Sequence, residues 1–169
     1  MRSIYAVACF AMVMLSGFTA CNNDDSIEFT SEQLAYFEKN REYIREKKLE
    51  KDENGELVYQ QLVKYGDTTL YRVIDRRAEK PEYPTGDQIL TYDLEGFLID
   101  GTNFQKKGLI KYPANGLIEG LRGVILDTSI GDSIEAIIPA TLGYKYRDNG
   151  PVPAGSTLIF NYRVEKTDC

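Results

Sequence analysis

The chain contains no histidine and no tryptophan. Without imidazole, the usual general base, proton shuttle and neutral metal ligand are missing, and Ser-His-Asp or Cys-His catalysis is excluded. Any chemistry must therefore come from carboxylates, tyrosine, lysine, arginine or the shape of a cavity. There are only three cysteines, Cys9, Cys21 and Cys169, and their spacing fits no zinc or redox motif. A Cys21–Cys169 disulfide stays open at this point. The longest apolar run, from Ile4 to Leu15, is too short for a permanent membrane span. Basic residues are in deficit, 20 Lys+Arg against 26 Asp+Glu, for a net charge of −6. That balance argues against nucleic acid, whose binding needs a basic surface.

What is present is ordinary for a globular protein. The 169 residues are 43% hydrophobic, with 12 tyrosines. That is enough for one domain with a core, plus appendages.

The N-terminus, "MRSIYAVACFAMVMLSGFTAC", has Arg2, then the apolar run, then small residues. This is the architecture of a signal peptide. "SGFTAC" resembles a bacterial lipobox, with Phe18 where leucine is usual. The resemblance implies cleavage before Cys21, lipidation of its thiol and anchoring by several acyl chains, which excludes a disulfide at Cys21. An ordinary secretory signal cleaved near Ala20 is the alternative. Asp24-Asp25 in the following "NNDDS" is read as a solvated linker, or as a surface-export signal. The expected order is a lipoprotein signal peptide over 1–20, an acidic tether over 21–30, a helical N-terminal extension over 31–68 and a main domain over 69–167. The expected location is the cell envelope, periplasmic or at the outer-membrane surface.

Ser31 to about Glu50 reads as a helix. Thr30 with Gln33 fits a capping box, and Phe29 is placed to act as a hydrophobic staple. Leu34, Phe37 and Ile44 fall at helical spacing, beside Tyr36 and Tyr43. The helix is expected to pack on the domain, with a stalk or self-association as alternatives. Asn54-Gly55 marks a turn. "LVYQQLVKYG" has no clean period and reads as either strand or short helix. "TLYRVIDRR", "QILTYDLEGFLID", "DSIEAIIPA" and "STLIFNYRVEK" read as strands, the last with Leu158, Phe160 and Tyr162 on one face and Ile159 and Arg163 on the other. Asp100-Gly101 and "KYPANG" read as turns, "AEKPEYPTGD" and "LGYKYRDNGPVPAG" as loops, and Lys106-Lys107 as a solvated tip. "LIEGLRGVILD" reads as a short helix, although its two glycines each weaken it by about 1 kcal/mol. The pattern is α+β: an antiparallel sheet wrapped around one short helix, preceded by an N-terminal helix.

From about Thr69 to Lys166 the chain resembles the FK506-binding-protein-type (FKBP-type) peptidyl-prolyl cis-trans isomerases. The pieces that carry the resemblance occur in the family's order: "YRVI", "EGFLIDGTNF", "LIEGL", "IIPATLGY" and "PVPAGSTLIFNYRVE". The resemblance implies a reaction that uses no acid, base, metal or cofactor. Rotation about a peptide bond is opposed by a barrier of about 18–20 kcal/mol. A cavity that takes the amide out of water and favours its twisted, less polarised form lowers that barrier. Uncatalysed X-Pro isomerisation is slow enough to limit folding.

The resemblance also implies roles for individual residues. Phe104 matches an aromatic wall of the prolyl pocket. Leu117 and Ile118 match a pair whose backbone contacts the ligand. Tyr144 matches the hydroxyl that donates to a substrate carbonyl. Val152 matches an aliphatic residue of an overhanging loop, and Phe160 an aromatic on the last strand. This chain departs from the family at three positions: Gln105 replaces an aspartate, Leu121 a tryptophan at the pocket floor, and Leu94 a tyrosine. The connection from Phe104 to Leu117 is also shorter. These departures imply a weakened or altered pocket. The expected function is isomerisation of proline-containing protein or peptide clients among exported proteins, beside the membrane and without nucleic acid. The alternatives are a non-catalytic binding module of the same fold, or an envelope or gliding-associated lipoprotein.

Overall fold

The structure, a computed structural model, describes residues 28–77 and 79–168. The signal segment, Cys9, Cys21 and Cys169 lie outside the described residues. Among the described residues no helix is long and apolar enough to cross a membrane.

The N-terminal helix α1 spans Ser31–Leu49. The Thr30 side chain accepts from Gln33 N at 3.2 Å, and the Gln33 side chain accepts from Thr30 N at 2.9 Å. This is the reciprocal cap expected from the spacing. Glu32 in the first turn and Lys47 and Lys48 in the last complement the helix dipole. Phe37 and Asn40 are buried, and Tyr36, Tyr43 and Ile44 are half-buried, so α1 packs on the domain. Leu34 is not part of that face and is 50% exposed. At 3.6 residues per turn it lies about 120° round the helix from Asn40. Phe29 packs edge-on to Phe37, centroids 4.9 Å apart, rather than against exposed Leu34.

Six strands follow: β1 Gln60–Lys64, β2 Asp67–Asp75, β3 Ile89–Phe97, β4 Asn103–Pro113, β5 Ser133–Ile138 and β6 Leu158–Asp168. They form one sheet in the order β1-β2-β5-β6-β3-β4, and every pair is antiparallel. The ambiguous "LVYQQLVKYG" therefore contains a strand, and the 31–68 extension is helical only as far as Leu49. β1 turns into β2 through Tyr65 and Gly66, with φ of 54° and 81°. A two-residue turn with both φ positive matches the twist of a hairpin.

β4 was not visible in the sequence pattern. It continues through Lys111–Pro113, so the turn in "KYPANG" starts only at Ala114. Lys106 and Lys107 are exposed but sit in mid-strand on a sheet edge, not at a tip. Along most of its length β4 is exposed on both faces, with only Phe104, Ile110 and Pro113 half-buried, which is why its sequence shows no alternation.

The short helix α2, Glu119–Ile125, packs on one face of the sheet. Leu121, Val124 and Ile125 are buried there with Leu90, Tyr92, Leu94, Ile138, Leu158 and Phe160. Gly120 permits the approach, since a Cβ there would lie 2.4 Å from Ile138 Cγ2. The other face is covered in part by α1 and the segment after it: Tyr59, Leu70 and Ile137 form a second cluster with Tyr43, Ile44 and Ile159.

Candidate functional site

β3 lies between β4 and β6, and Gly96 on β3 is paired with Gln105 on one side and Phe160 on the other. With no side chain at Gly96, the rings of Phe104 and Phe160 meet across the strand. Their centroids are 5.5 Å apart at 87°, an edge-to-face pair worth about 0.5–1.5 kcal/mol beyond burial. Phe160 is buried and Phe104 half-buried, so the pair forms the wall of a concavity.

The other walls come from different parts of the chain. Leu94 on β3 and Leu121 on α2 are buried at its base. Leu117 and Ile118 arrive on the bend before α2, and Tyr144 and Val152 on the loop between β5 and β6. Together with Gln105 these residues line one open cavity of about 400 Å³. All the residues implied by the resemblance are thus brought together. Four of them come from the loops and bends that precede α2 and β6.

Not every member of the set contributes equally. Gln105 is exposed at the rim, and among the described residues its amide donates only to Lys106 O, at 3.3 Å. Leu121, 2% exposed, gives the floor an aliphatic surface. The sequence reading missed Ile110 on β4 and the loop tip Asn149, Gly150 and Pro151, which also line the cavity. Ile110 follows from β4 pairing with β3, opposite buried Tyr92. The loop tip is closed by Asn149 N→Val152 O at 2.9 Å and Val152 N→Asn149 O at 3.1 Å, which turns Val152 inward.

Two hydrogen-bond donors stand at this apolar site. The Tyr144 hydroxyl and the Ile118 N–H have no acceptor among the described residues. Ile118 is the residue ahead of α2, where backbone donors lack helical partners. Behind the cavity, burial pushes Tyr92 up to about 12 and pushes Tyr162 up as well, against a hydrogen bond from Thr128 that works the other way. Both therefore stay neutral in ordinary buffers. Among the described residues no cluster of acidic or cysteine side chains could hold a metal ion. The arrangement can enclose a small apolar ring, take an adjoining amide out of water and donate hydrogen bonds to a carbonyl oxygen.

Comparison with known proteins gives this geometry a family. A profile described as "FKBP-type peptidyl-prolyl cis-trans isomerase" matches residues 80–165. The FKBP-type peptidyl-prolyl cis-trans isomerase FkpA of Buchnera aphidicola subsp. Schizaphis graminum is 30% identical over 157 residues, covering 82% of this chain. The match spans 61% of that relative's length. The crystal structure of FkpA from Escherichia coli superposes with a TM-score of 0.66 at 21% identity, covering 81% of this chain and 63% of that one. A peptidyl-prolyl cis-trans isomerase structure from Pseudomonas syringae pv. tomato gives 0.68 at 15% identity, covering 84% and 100%. At those identities the structural likeness is one of fold, and it agrees with the α+β sheet-and-helix architecture. With more than half of the chain matched by the family profile, the chain belongs to the FKBP-type peptidyl-prolyl cis-trans isomerases.

Proposed function

We infer that this chain is an active peptidyl-prolyl cis-trans isomerase, and that its clients are exported proteins in the cell envelope. One observation carries the reading: Phe104, Phe160, Leu117, Ile118, Leu121 and Val152 converge on one cavity, with a Tyr144 hydroxyl at its edge that has no partner among the described residues. A prolyl ring fits between the aromatic wall and the aliphatic floor. The amide before it then leaves water, whose hydrogen bonds favour the planar, polarised form. Loss of that solvation lowers the barrier of about 18–20 kcal/mol to rotation. Tyr144 donates to a client carbonyl and orients the chain. No proton is transferred, which accords with a chain that has no histidine.

The envelope part of the proposal rests on residues 1–21. Signal-peptide architecture ending in "SGFTAC" supports cleavage before Cys21 and a lipid anchor there. Mass spectrometry of the mature N-terminus tests it: a diacyl or triacyl Cys21 is expected, and an unmodified terminus would refute the anchor.

A second reading has its own observation. Leu94 and Leu121 make the base of the cavity aliphatic, without a large flat ring to hold the twisted prolyl amide. Such a cavity suits binding without turnover. Acceleration of cis-to-trans isomerisation in a Leu-Pro tetrapeptide by the mature chain separates the two. Acceleration supports the isomerase, and binding of the peptide without acceleration supports the binding module.

A further inference from the structure

The loop that carries Tyr144 and Val152 is gripped from behind by α1. On its first leg, Tyr146 packs against Phe37 and Phe29, with centroids 5.0 and 5.9 Å away. On its second leg, Gly155 lies directly under Phe37, where a Cβ would stand 2.1 Å from Phe37 Cδ1. Gly155 also has φ +75°, which glycine adopts without strain. The legs are tied to each other by Gly155 N→Lys145 O at 2.9 Å. Lys145 itself has φ 62°, a strained conformation for a residue with a side chain. That strained residue sits between Tyr144 and Tyr146.

Asn40 is the polar centre of the grip. It is 1% exposed. Its Nδ2 donates to Tyr36 O at 2.9 Å, which fixes the amide. Its Oδ1 accepts from Thr157 N at 2.7 Å, and its backbone O accepts from Thr157 Oγ1 at 3.1 Å. Tyr36 and Ser156 hydroxyls meet at 2.8 Å on the same leg. A helix serving only as a spacer to an anchor would need an apolar seam and no more. A fully buried asparagine that reads the backbone just ahead of β6 is costly unless its hydrogen bonds matter.

We propose that α1 is part of the prolyl site, with Asn40 a positioning residue that holds the loop so that Tyr144 and Val152 face Phe104. The proposal rests on the prolyl-binding reading and deepens it. Asn40 touches no substrate and acts through Thr157 and the loop. Residues ahead of the family-matched region thereby set the geometry of the cavity's open side.

The test uses the mature chain with Asn40→Ala, and with the nearly isosteric Thr157→Val, which removes only the hydroxyl bond to Asn40 O. Asn40→Ala is expected to weaken Leu-Pro tetrapeptide binding and kcat/KM about tenfold, as small misplacements of positioning groups do. Amide exchange is expected to quicken over residues 143–157 and not in β3 or β4. The loss should be non-additive with Tyr144→Phe, on the gripped loop, and additive with Phe104→Leu, on the opposite wall. Thr157→Val should show the same loop-confined pattern to a smaller extent, and decides the matter if Asn40→Ala does not fold. Unchanged loop exchange, or exchange quickened over the whole chain with peptide binding intact, would overturn the proposal. A wild-type chain that neither binds nor turns over the peptide would overturn the prolyl reading. Loop exchange needs no peptide, so it still decides whether α1 holds the loop.

Discussion

A Cβ on Gly96 would stand 2.6 Å from Phe104 Cζ and 2.8 Å from Cε2: the missing side chain of Gly96 is the seat of the Phe104 ring. Gly96→Ala should therefore swing the ring, the free end of a side chain, away from Phe160, while Gln105 Cβ at 3.1 Å on the paired strand needs to give by only a few tenths of an ångström. If the displaced ring forfeits an aromatic contact with the bound prolyl ring of about 0.5–1.5 kcal/mol, peptide binding weakens roughly two- to tenfold. Titration of a Leu-Pro tetrapeptide followed by chemical shift measures it. Wild-type affinity in Gly96→Ala would show that Phe104 is not a wall of the binding site.

Phe160 and Tyr144 should separate stability from function. Phe160 is 4% exposed and packs in the main core, so Phe160→Ala is expected to cost about 3–5 kcal/mol in denaturant unfolding, with binding lost as well. The Tyr144 hydroxyl has no partner among the described residues, so Tyr144→Phe should leave stability within about 0.5 kcal/mol. Its isomerase rate should still fall, by up to about tenfold for one neutral hydrogen bond. A rate equal to wild type would remove Tyr144 from the site.

Alkali should unfold the protein through its buried tyrosines. Burial holds Tyr92 at about 12 against an ordinary value of 10.0, and Tyr59, Tyr71 and Tyr162 are also raised, chiefly by burial. A raised folded-state value contributes stability that is complete below the unfolded value and is lost as pH climbs through the folded one. Stability should be steady up to about pH 10, the unfolded tyrosine value, and fall from there toward pH 12. Tyrosinate absorbance and far-ultraviolet circular dichroism should change together in that window. Tyrosinate forming with the fold intact would contradict this.

Lys106 and Lys107 lie on β4, an edge of the sheet, near Leu109, which is 70% exposed. Charged side chains on an edge discourage pairing with another strand. Replacing both lysines by isoleucine should produce concentration-dependent association in sedimentation velocity, with the wild-type chain unaffected over the same range. A monomeric double variant would mean that the edge is protected by other means.

How far the sequence could be read follows from the range of each interaction. The capping box of Thr30 and Gln33 links residues three apart, the Asp100-Gly101 turn needs only Gly101 at φ +86°, and β6 shows its two faces because one is buried and the other is not. These features are written within a few residues and were legible. So was the ordered set of motifs that names the family. β4 was not, because it is exposed on both faces along most of its length and so carries no alternation. Leu34 was misplaced because helical spacing identifies apolar positions but not which of them meets the domain.

The amino-acid order alone thus determined the α+β architecture and the family, and marked Phe104, Tyr144 and Phe160 as candidate site residues. Only the tertiary structure decided that Gly96 seats Phe104, that Leu94 and Leu121 form one aliphatic base, and that Asn40 reaches Thr157, 117 positions along the chain. Side-chain period and turn chemistry act over a turn or a strand. A cavity is made by strand register and by segments that meet only when the sheet closes over α2 and α1 settles against the loop.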